Sequence, residues 1–209
     1  MKQTEKMLKG ELYNSGVSEL IEMKIKEQEL LYEFNHLHPK ETSERIRLLH
    51  LIFPHLGANA WMEQSLKVEY GVNTTIGDNF YANFDCKFHD ICPIKIGDNV
   101  MFGPNVIIAT PMHPLLAEER NPQQFLDGFY NIEYGKPITI GSGVWLAAGV
   151  IVCGGVTIGD DVVIGAGSVV THDIPSHSLA AGVPCKVIRP LNEKDKMFSI
   201  DERNKCHTD

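Results

Sequence analysis

Cysteine, positive charge and long hydrophobic runs are all scarce in this chain, and each scarcity closes off a class of protein. The five cysteines (Cys86, Cys92, Cys153, Cys185, Cys206) form no CxxC pair, and the opening MKQTEKMLKG has no apolar core of signal-peptide length. An odd count without an export signal points away from a disulfide framework and toward buried free thiols. Lysine plus arginine number 19 against 27 aspartate plus glutamate, a formal net charge of −8. A general nucleic-acid binder would carry the opposite sign, so any anionic ligand must be held by local basic residues. No segment approaches the ~20 apolar residues of a membrane span, which makes a soluble cytoplasmic protein the expectation. Collagenous and disordered compositions are absent too: 209 residues at 43% hydrophobic suffice for one large domain with its own core.

A period of six dominates what is there. Aliphatic residues return at Ile140, Leu146, Val152, Ile158, Ile164 and Val170, with a second register at Val144, Val150, Val156, Val162 and Ser168. A helix needs period 3.6 and a plain amphipathic strand period 2. Six fits a coil of very short strands joined by tight turns, three hexads to a triangular coil, the hexapeptide kind of parallel β-helix. The runs Gly141-Ser142-Gly143 and Gly159-Asp160-Asp161 suit its corners, because they tolerate turn conformations that β-branched residues resist.

Residues 1–60 lack this period. Helical spacing runs from Glu19 to Leu31 and from Glu44 to Ile52, with Thr42 or Ser43 as the expected cap of the second helix. This segment reads as a helical cap closing one end of the solenoid. The coil domain is assigned to 61–190 and a tail to 191–209. Its hexads are first seen at Ile76, Ala82 and Phe88, followed by a skip of eight to Ile96, Phe102 and Ile108. The two-residue insertion at His89-Asp90-Ile91-Cys92-Pro93 is expected to bulge outwards, a device favoured near sites.

A longer interruption, 110–136, delivers His113 where the coil is left. Loops of this length inside a compact repeat are usually functional or disordered. Read alone, His113 is either a solvated loop histidine or a base brought to a site.

Several motifs narrow the choice: Met7-Leu8-Lys9-Gly10-Glu11-Leu12-Tyr13, Tyr32-Glu33-Phe34-Asn35, Asn79-Phe80-Tyr81-Ala82-Asn83-Phe84, Ile96-Gly97-Asp98-Asn99-Val100, His113-Pro114, Glu133-Tyr134-Gly135-Lys136-Pro137 and Ala180-Ala181-Gly182-Val183-Pro184. In these the chain closely resembles the maltose and galactoside O-acetyltransferases of the hexapeptide-repeat acyltransferase superfamily. The resemblance implies a mainly β fold, a left-handed parallel β-helix with an N-terminal α-helical cap and a long excursion loop. It also implies a homotrimer with active sites between subunits, and acetyl transfer from acetyl-CoA to a sugar hydroxyl. Handedness comes wholly from the resemblance, since the general expectation for parallel crossovers is right-handed.

The same resemblance implies roles for residues. His113 is the general base for direct attack on the thioester, a task suited to an imidazole with its ordinary pKa of about 6.5. The backbone N–H of Ala148 would meet the oxyanion. Asn83 matches the acceptor-contacting asparagine, and Asp90 lies close to the family's acidic acceptor contact; a corner cap and a solvated corner are their respective alternatives. Glu133 either orients the imidazole, binds the acceptor or makes a simple salt bridge to the loop. Tyr81, Glu69 and Ser15 complete the expected acceptor pocket. Where the family often has an acid after Leu-Tyr, this chain reads Asn14-Ser15-Gly16, while Glu69 is the acid common in the maltose branch. Trp145, Ala148 and Ala166 would line the pantetheine path, with Thr171, His172, Lys186 and Arg189 toward the nucleotide, the two cations alternatively being plain solvated surface.

Two other classes are open on sequence. A zinc enzyme of the carbonic-anhydrase kind would need three converging ligands, for which His89 and His113 could supply two and Cys92 or another histidine the third; the resemblance itself implies no metal. A catalytically inactive trimeric scaffold would have lost the base or blocked the CoA groove, and the retained His113 argues against it.

Overall fold

The computed structural model describes residues 1–198. Cys206 and the rest of the tail beyond 198 lie outside the described residues.

The hexads fold as a triangular prism of stacked coils with three parallel sheets as faces. The first face pairs His55–Leu56, Thr74–Ile76, Ile94–Ile96, Ile138–Ile140 and Thr157–Ile158 in that order. The second stacks Trp61–Met62, Tyr81–Ala82, Met101–Phe102, Trp145–Leu146 and Val163–Ile164, followed by Ser178–Ala181 and, antiparallel, Lys186–Pro190. The third stacks Lys67–Val68, Lys87–His89, Ile107–Ala109, Ile151–Cys153 and Val169–Val170. Register keeps like over like: Ile76 pairs with Ile96, Ile96 with Ile140 and Ile140 with Ile158. These rungs are buried in one continuous core, knit by the T-shaped contact of Phe80 with Phe102 at 5.0 Å. Each such side chain removed from water contributes roughly 1.5–3 kcal/mol, which is why strands of two or three residues persist.

Corners are held by a ladder of short polar side chains. Asp78 accepts from the Ala58 N–H at 2.7 Å, Asp98 from Asp78 at 2.8 Å, and Asp160 from Ser142 at 2.7 Å. Asn59, Asn79 and Asn99 take the left-handed backbone conformation there, as asparagine does more readily than branched residues.

The stack begins earlier than the hexad count suggests. Leu56, Met62 and Val68 sit below Ile76, Ala82 and Phe88, so a first coil precedes Ile76 and opens before residue 60. Its short strands interleave with polar and aromatic residues that hide the period. Helices α1 (Gln3–Leu8), α2 (Ser18–Asn35) and α3 (Thr42–Ile52) form the cap. Leu31, Phe34, Leu48, Leu49 and Ile52 join the prism core and cover its open end. Neither Thr42 nor Ser43 caps α3. Glu41 occupies the N-cap position without a side-chain cap bond, its carboxylate accepting instead from the His38 N–H.

The insertion at 89–93 differs from expectation in direction of burial. Asp90, Ile91 and Cys92 are all buried, because the cap lies over this corner and Met7, Tyr13, Leu20 and Tyr70 pack on it. The 110–136 excursion is itself ordered. Pro111–Met112 pairs with Tyr134–Gly135 as an antiparallel stalk, and Gln123–Phe125 pairs with Gly128–Tyr130 as a hairpin beyond it. Lys136 N–H donates to Thr110 O at 3.0 Å, closing the base so that the coil resumes where it stopped. Among the described residues, no helix is long and apolar enough to cross a membrane. The described cysteines are free thiols, three buried and Cys153 half-buried.

Candidate active site

The stalk and the cap meet at one crossing, and glycine permits it. Gly10 has φ of +73°, and a Cβ there would lie 2.6 Å from Gly135 O, so only glycine lets the chain after α1 press against the stalk. Beside it the Cys92 thiol donates to Met7 O at 3.1 Å. Three residues beyond Gly10, Tyr13 pairs with Glu133 through both backbone bonds, 3.0 and 3.2 Å.

His113 follows the first stalk strand and Glu133 precedes the second, which sets them side by side. His113 Nε2 lies 3.8 Å from Glu133 Oε2, and the imidazole is 43% exposed, presented outward from a buried base. The other carboxylate oxygen of Glu133 accepts the Tyr13 hydroxyl at 2.7 Å. Burial first, then the Glu133 carboxylate, drives the Tyr13 phenol far above its ordinary pKa, so it remains a donor.

A second acid stands close by. Glu69 pairs with Lys24 at 2.6 Å and faces His89 Nδ1 at 3.6 Å. Burial raises its pKa, but the hydrogen bonds from His89 and Lys24 outweigh that and hold it below the ordinary range. Tyr70 is buried with its hydroxyl unpartnered among the described residues; burial, then Glu69 and Glu133, push its pKa well up. Glu69, Glu133, Tyr13 and Tyr70 thus form one polar group under α2. Ser15, half-buried, lies in the turn between α1 and α2.

Asp90 does not join this group as an acceptor contact. It is 0% exposed, and its carboxylate accepts from Tyr70 N–H at 2.8 Å and the Thr74 hydroxyl at 3.0 Å, tying two coils together. Burial raises its pKa to about 6 despite those bonds. Asn83 is half-buried, and its side-chain oxygen accepts from the Phe84 N–H at 2.8 Å. Tyr81 stands outward on the second face, between Trp61 and Met101.

The residues expected along the donor path are spread over the second face, its turns into the third face, the end of the third face and the last strand. Trp145 stands exposed on the flat of the second face, not at a corner, with Ala148 and Ala166 at the turns where the second face meets the third. The Ala148 N–H makes no hydrogen bond among the described residues, while its neighbour Gly149 donates to Pro104 O. A Cβ on Gly103 would lie 2.7 Å from that Ala148 nitrogen, so glycine keeps it clear. Thr171 and His172 follow the far end of the third face, their side chains 2.9 Å apart. Lys186 and Arg189 are exposed on the last strand, where Arg189 forms a two-pronged pair with Asp195 at 2.6 and 2.8 Å.

His113 and Ala148 of one chain are therefore not neighbours. His113 leaves after Ala109, at the end of a third-face strand, whereas the Ala148 turn stacks on Pro104, before that strand begins. At about 3.3 Å per residue, the two are separated by more than the strand's length. The outward residues of the faces differ as well: Thr75, Lys95, Thr139 and Thr157 on the first, Tyr81, Met101, Trp145 and Val163 on the second, and Lys67 and Lys87 giving way to Ile107, Ile151 and Val169 along the third. Among the described residues, no three His, Cys, Asp or Glu side chains converge as metal ligands. The candidates are separately engaged, Cys92 with Met7, His89 with Glu69 and His113 with Glu133.

Comparison with known proteins agrees with this architecture. A family model described as the maltose acetyltransferase hexapeptide capping motif matches residues 6–57, and bacterial transferase hexapeptide repeats match 137–172. The galactoside O-acetyltransferase of Escherichia coli K12 is 43% identical over 95% of this chain and 94% of its own. The chain belongs to the galactoside and maltose O-acetyltransferase family. Its fold matches a maltose O-acetyltransferase from Clostridium difficile 630 with TM-score 0.86 at 44% identity, covering 92% of this chain and 99% of that one. It also matches a galactoside acetyltransferase in complex with coenzyme A with TM-score 0.87 at 42% identity, covering 96% and 97%. Tyr13 and Tyr70, which join Glu69 and Glu133 in one polar group, are not marked as candidates by the sequence. Tyr13 ends the Met7–Tyr13 motif, but nothing local marks a partner 120 positions away.

Proposed function

We propose that the protein is an acetyl-CoA-dependent sugar O-acetyltransferase working as a homotrimer, with His113 as general base. The single observation that carries this reading is the outward imidazole of His113 held at 3.8 Å from Glu133, which is itself anchored to the cap. A sugar hydroxyl is a weak nucleophile until its proton is removed during attack. His113 accepts that proton as the acceptor oxygen bonds to the thioester carbonyl carbon. The tetrahedral oxyanion is met by a backbone N–H, and the free N–H of Ala148 suits the task. Collapse breaks the C–S bond, and the imidazolium returns its proton to the departing coenzyme A thiolate. Atoms balance without an acyl-enzyme or a metal.

The separation of the two half-sites supports assembly. A base at one edge of the third face and an oxyanion donor at the other meet only if a second copy brings its opposite edge alongside. The apolar outward residues of the second and third faces support such packing, as do the exposed Leu115, Leu126 and Phe129 of the excursion. Glu69, Asn83, Tyr81 and Ser15 would then face the acceptor. Trp145, Ala148 and Ala166 would face the pantetheine, with Thr171, His172, Lys186 and Arg189 toward the phosphates.

The test is turnover of acetyl-CoA against a panel of glucose, maltose and galactosides, read as free thiol release, alongside the mass of the assembly in solution. Acceptor-dependent thiol release from a trimer is expected. Absence of release with every sugar, or full activity from a monomer, would overturn the reading.

A further inference from the structure

We infer that Tyr13 is a positioning residue for the transfer reaction: it fixes the Glu133 carboxylate so that one oxygen is committed to the cap and the other is left facing His113. This rests on the reading of His113 as base. Tyr13 is 1% exposed, and its hydroxyl donates to Glu133 Oε1 at 2.7 Å while Oε2 faces His113 Nε2 at 3.8 Å. The two backbones are bonded in both directions, at 3.0 and 3.2 Å, so Tyr13 and Glu133 move as a unit.

The physical need for such a device is plain from where His113 sits. The imidazole is on a stalk that leaves the prism, and it makes no side-chain hydrogen bond among the described residues; its nearest charged neighbour is Glu133. A carboxylate with two free oxygens rotates, and in a dry pocket it seeks whichever donor is closest. Tyr13 removes that freedom at one oxygen. The nearby Tyr70 hydroxyl is unpartnered, so Tyr13 is the phenol that takes the role. The consequence is that the helical cap, beyond closing the prism, sets the geometry of the base.

Tyr13→Phe removes one oxygen and keeps the ring. With acetyl-CoA and the sugar giving highest turnover, it is expected to lower kcat about tenfold, the scale of one hydrogen bond to a charged group, with KM for acetyl-CoA unchanged. In a Glu133→Gln background the same change should cost little further, because the two residues act through one contact. Wild-type kcat in Tyr13→Phe, or an equal fractional loss in both backgrounds, would overturn the inference. If Tyr13→Phe fails to fold, 3,5-difluorotyrosine placed at position 13 keeps the ring and hydroxyl but alters donor strength. An altered kcat supports the role, and an unaltered one overturns it. His113→Ala is run in parallel. Full turnover there removes the general-base reading and this inference with it, whereas an inactive His113→Ala beside a fully active Tyr13→Phe removes this inference alone.

Discussion

The stacked coils and the crossing of cap with excursion solve opposite problems. In the coils an inward residue stacks on inward residues of the adjoining coils: Phe102 is paired with Ala82 on one side and Leu146 on the other, and successive rungs share one apolar environment. At the crossing nothing repeats. Tyr13, Cys92, His113 and Glu133 come from segments far apart in the chain, and each contact is made once. Redundancy supplies stability, and the proposed chemistry rests on the single contacts. A change in a rung should therefore be felt as stability, and a change at the crossing as rate.

The sharpest break of that comparison is at Phe102. It is fully buried and touches Phe80 at 5.0 Å and Phe88 at 6.0 Å between ring centres. Phe102→Ala should lower stability by about 3–5 kcal/mol through lost burial and a cavity the stacked coils cannot close. Thermal or denaturant unfolding measures it, and the folded fraction should keep its turnover. His113→Ala is the converse: kcat should fall by about 100-fold or more, with the unfolding midpoint unchanged. A wild-type midpoint for Phe102→Ala, or unchanged turnover for His113→Ala, would erase the distinction between the two regions.

The same contrast explains what could be read from the chain. Ile140 to Val170 announced the coils because period six is a local property and every rung meets the same environment. The first coil is harder to read although Leu56, Met62 and Val68 keep the six-residue spacing, because three rungs alone precede the skip of eight to Ile76. The place of His113 at the mouth of an interruption is legible in the chain, and the family motifs suggest its role. Asp90 was misplaced because a carboxylate on an inserted corner looks solvated until the cap is laid over it. Tyr13 could not be assigned a partner at all, since no spacing rule connects it to Glu133. What depends on one tertiary contact leaves no periodic trace.

A smaller effect should expose the seam between the regions. Glu27 on α2 is 5% exposed with one carboxylate oxygen unpartnered. Burial, reinforced by Asp90 and opposed by Lys26, raises its pKa to about 8. A carboxyl raised in the folded state binds its proton more tightly there than in the unfolded chain. Its contribution to stability is complete below the unfolded value near 4.5 and is lost as pH rises through about 8. Asp90, at about 6, adds in the same direction. Unfolding midpoints should thus fall between pH 5 and pH 8. Glu27→Gln should flatten that fall by roughly 1 kcal/mol, about 2–4 °C. A midpoint that rises over this interval would contradict the sign.

The smallest effect belongs to the far end of the stack, where the last strand is exposed on all its residues and carries Lys186 and Arg189. Arg189 is held by Asp195 in two hydrogen bonds, which keep the Asp195 carboxyl down at about 2. If this guanidinium meets the anionic end of acetyl-CoA, Asp195 competes with the phosphates for it. Arg189→Ala should then raise KM for acetyl-CoA about threefold, and Asp195→Asn should lower it, both with kcat unchanged, because an exposed pair is weak and screened. Added salt should shrink both differences. Opposite shifts in KM from the two substitutions would show that even this regular edge has been given one unrepeated contact, while equal KM values would return Arg189 to the solvated surface of the stack.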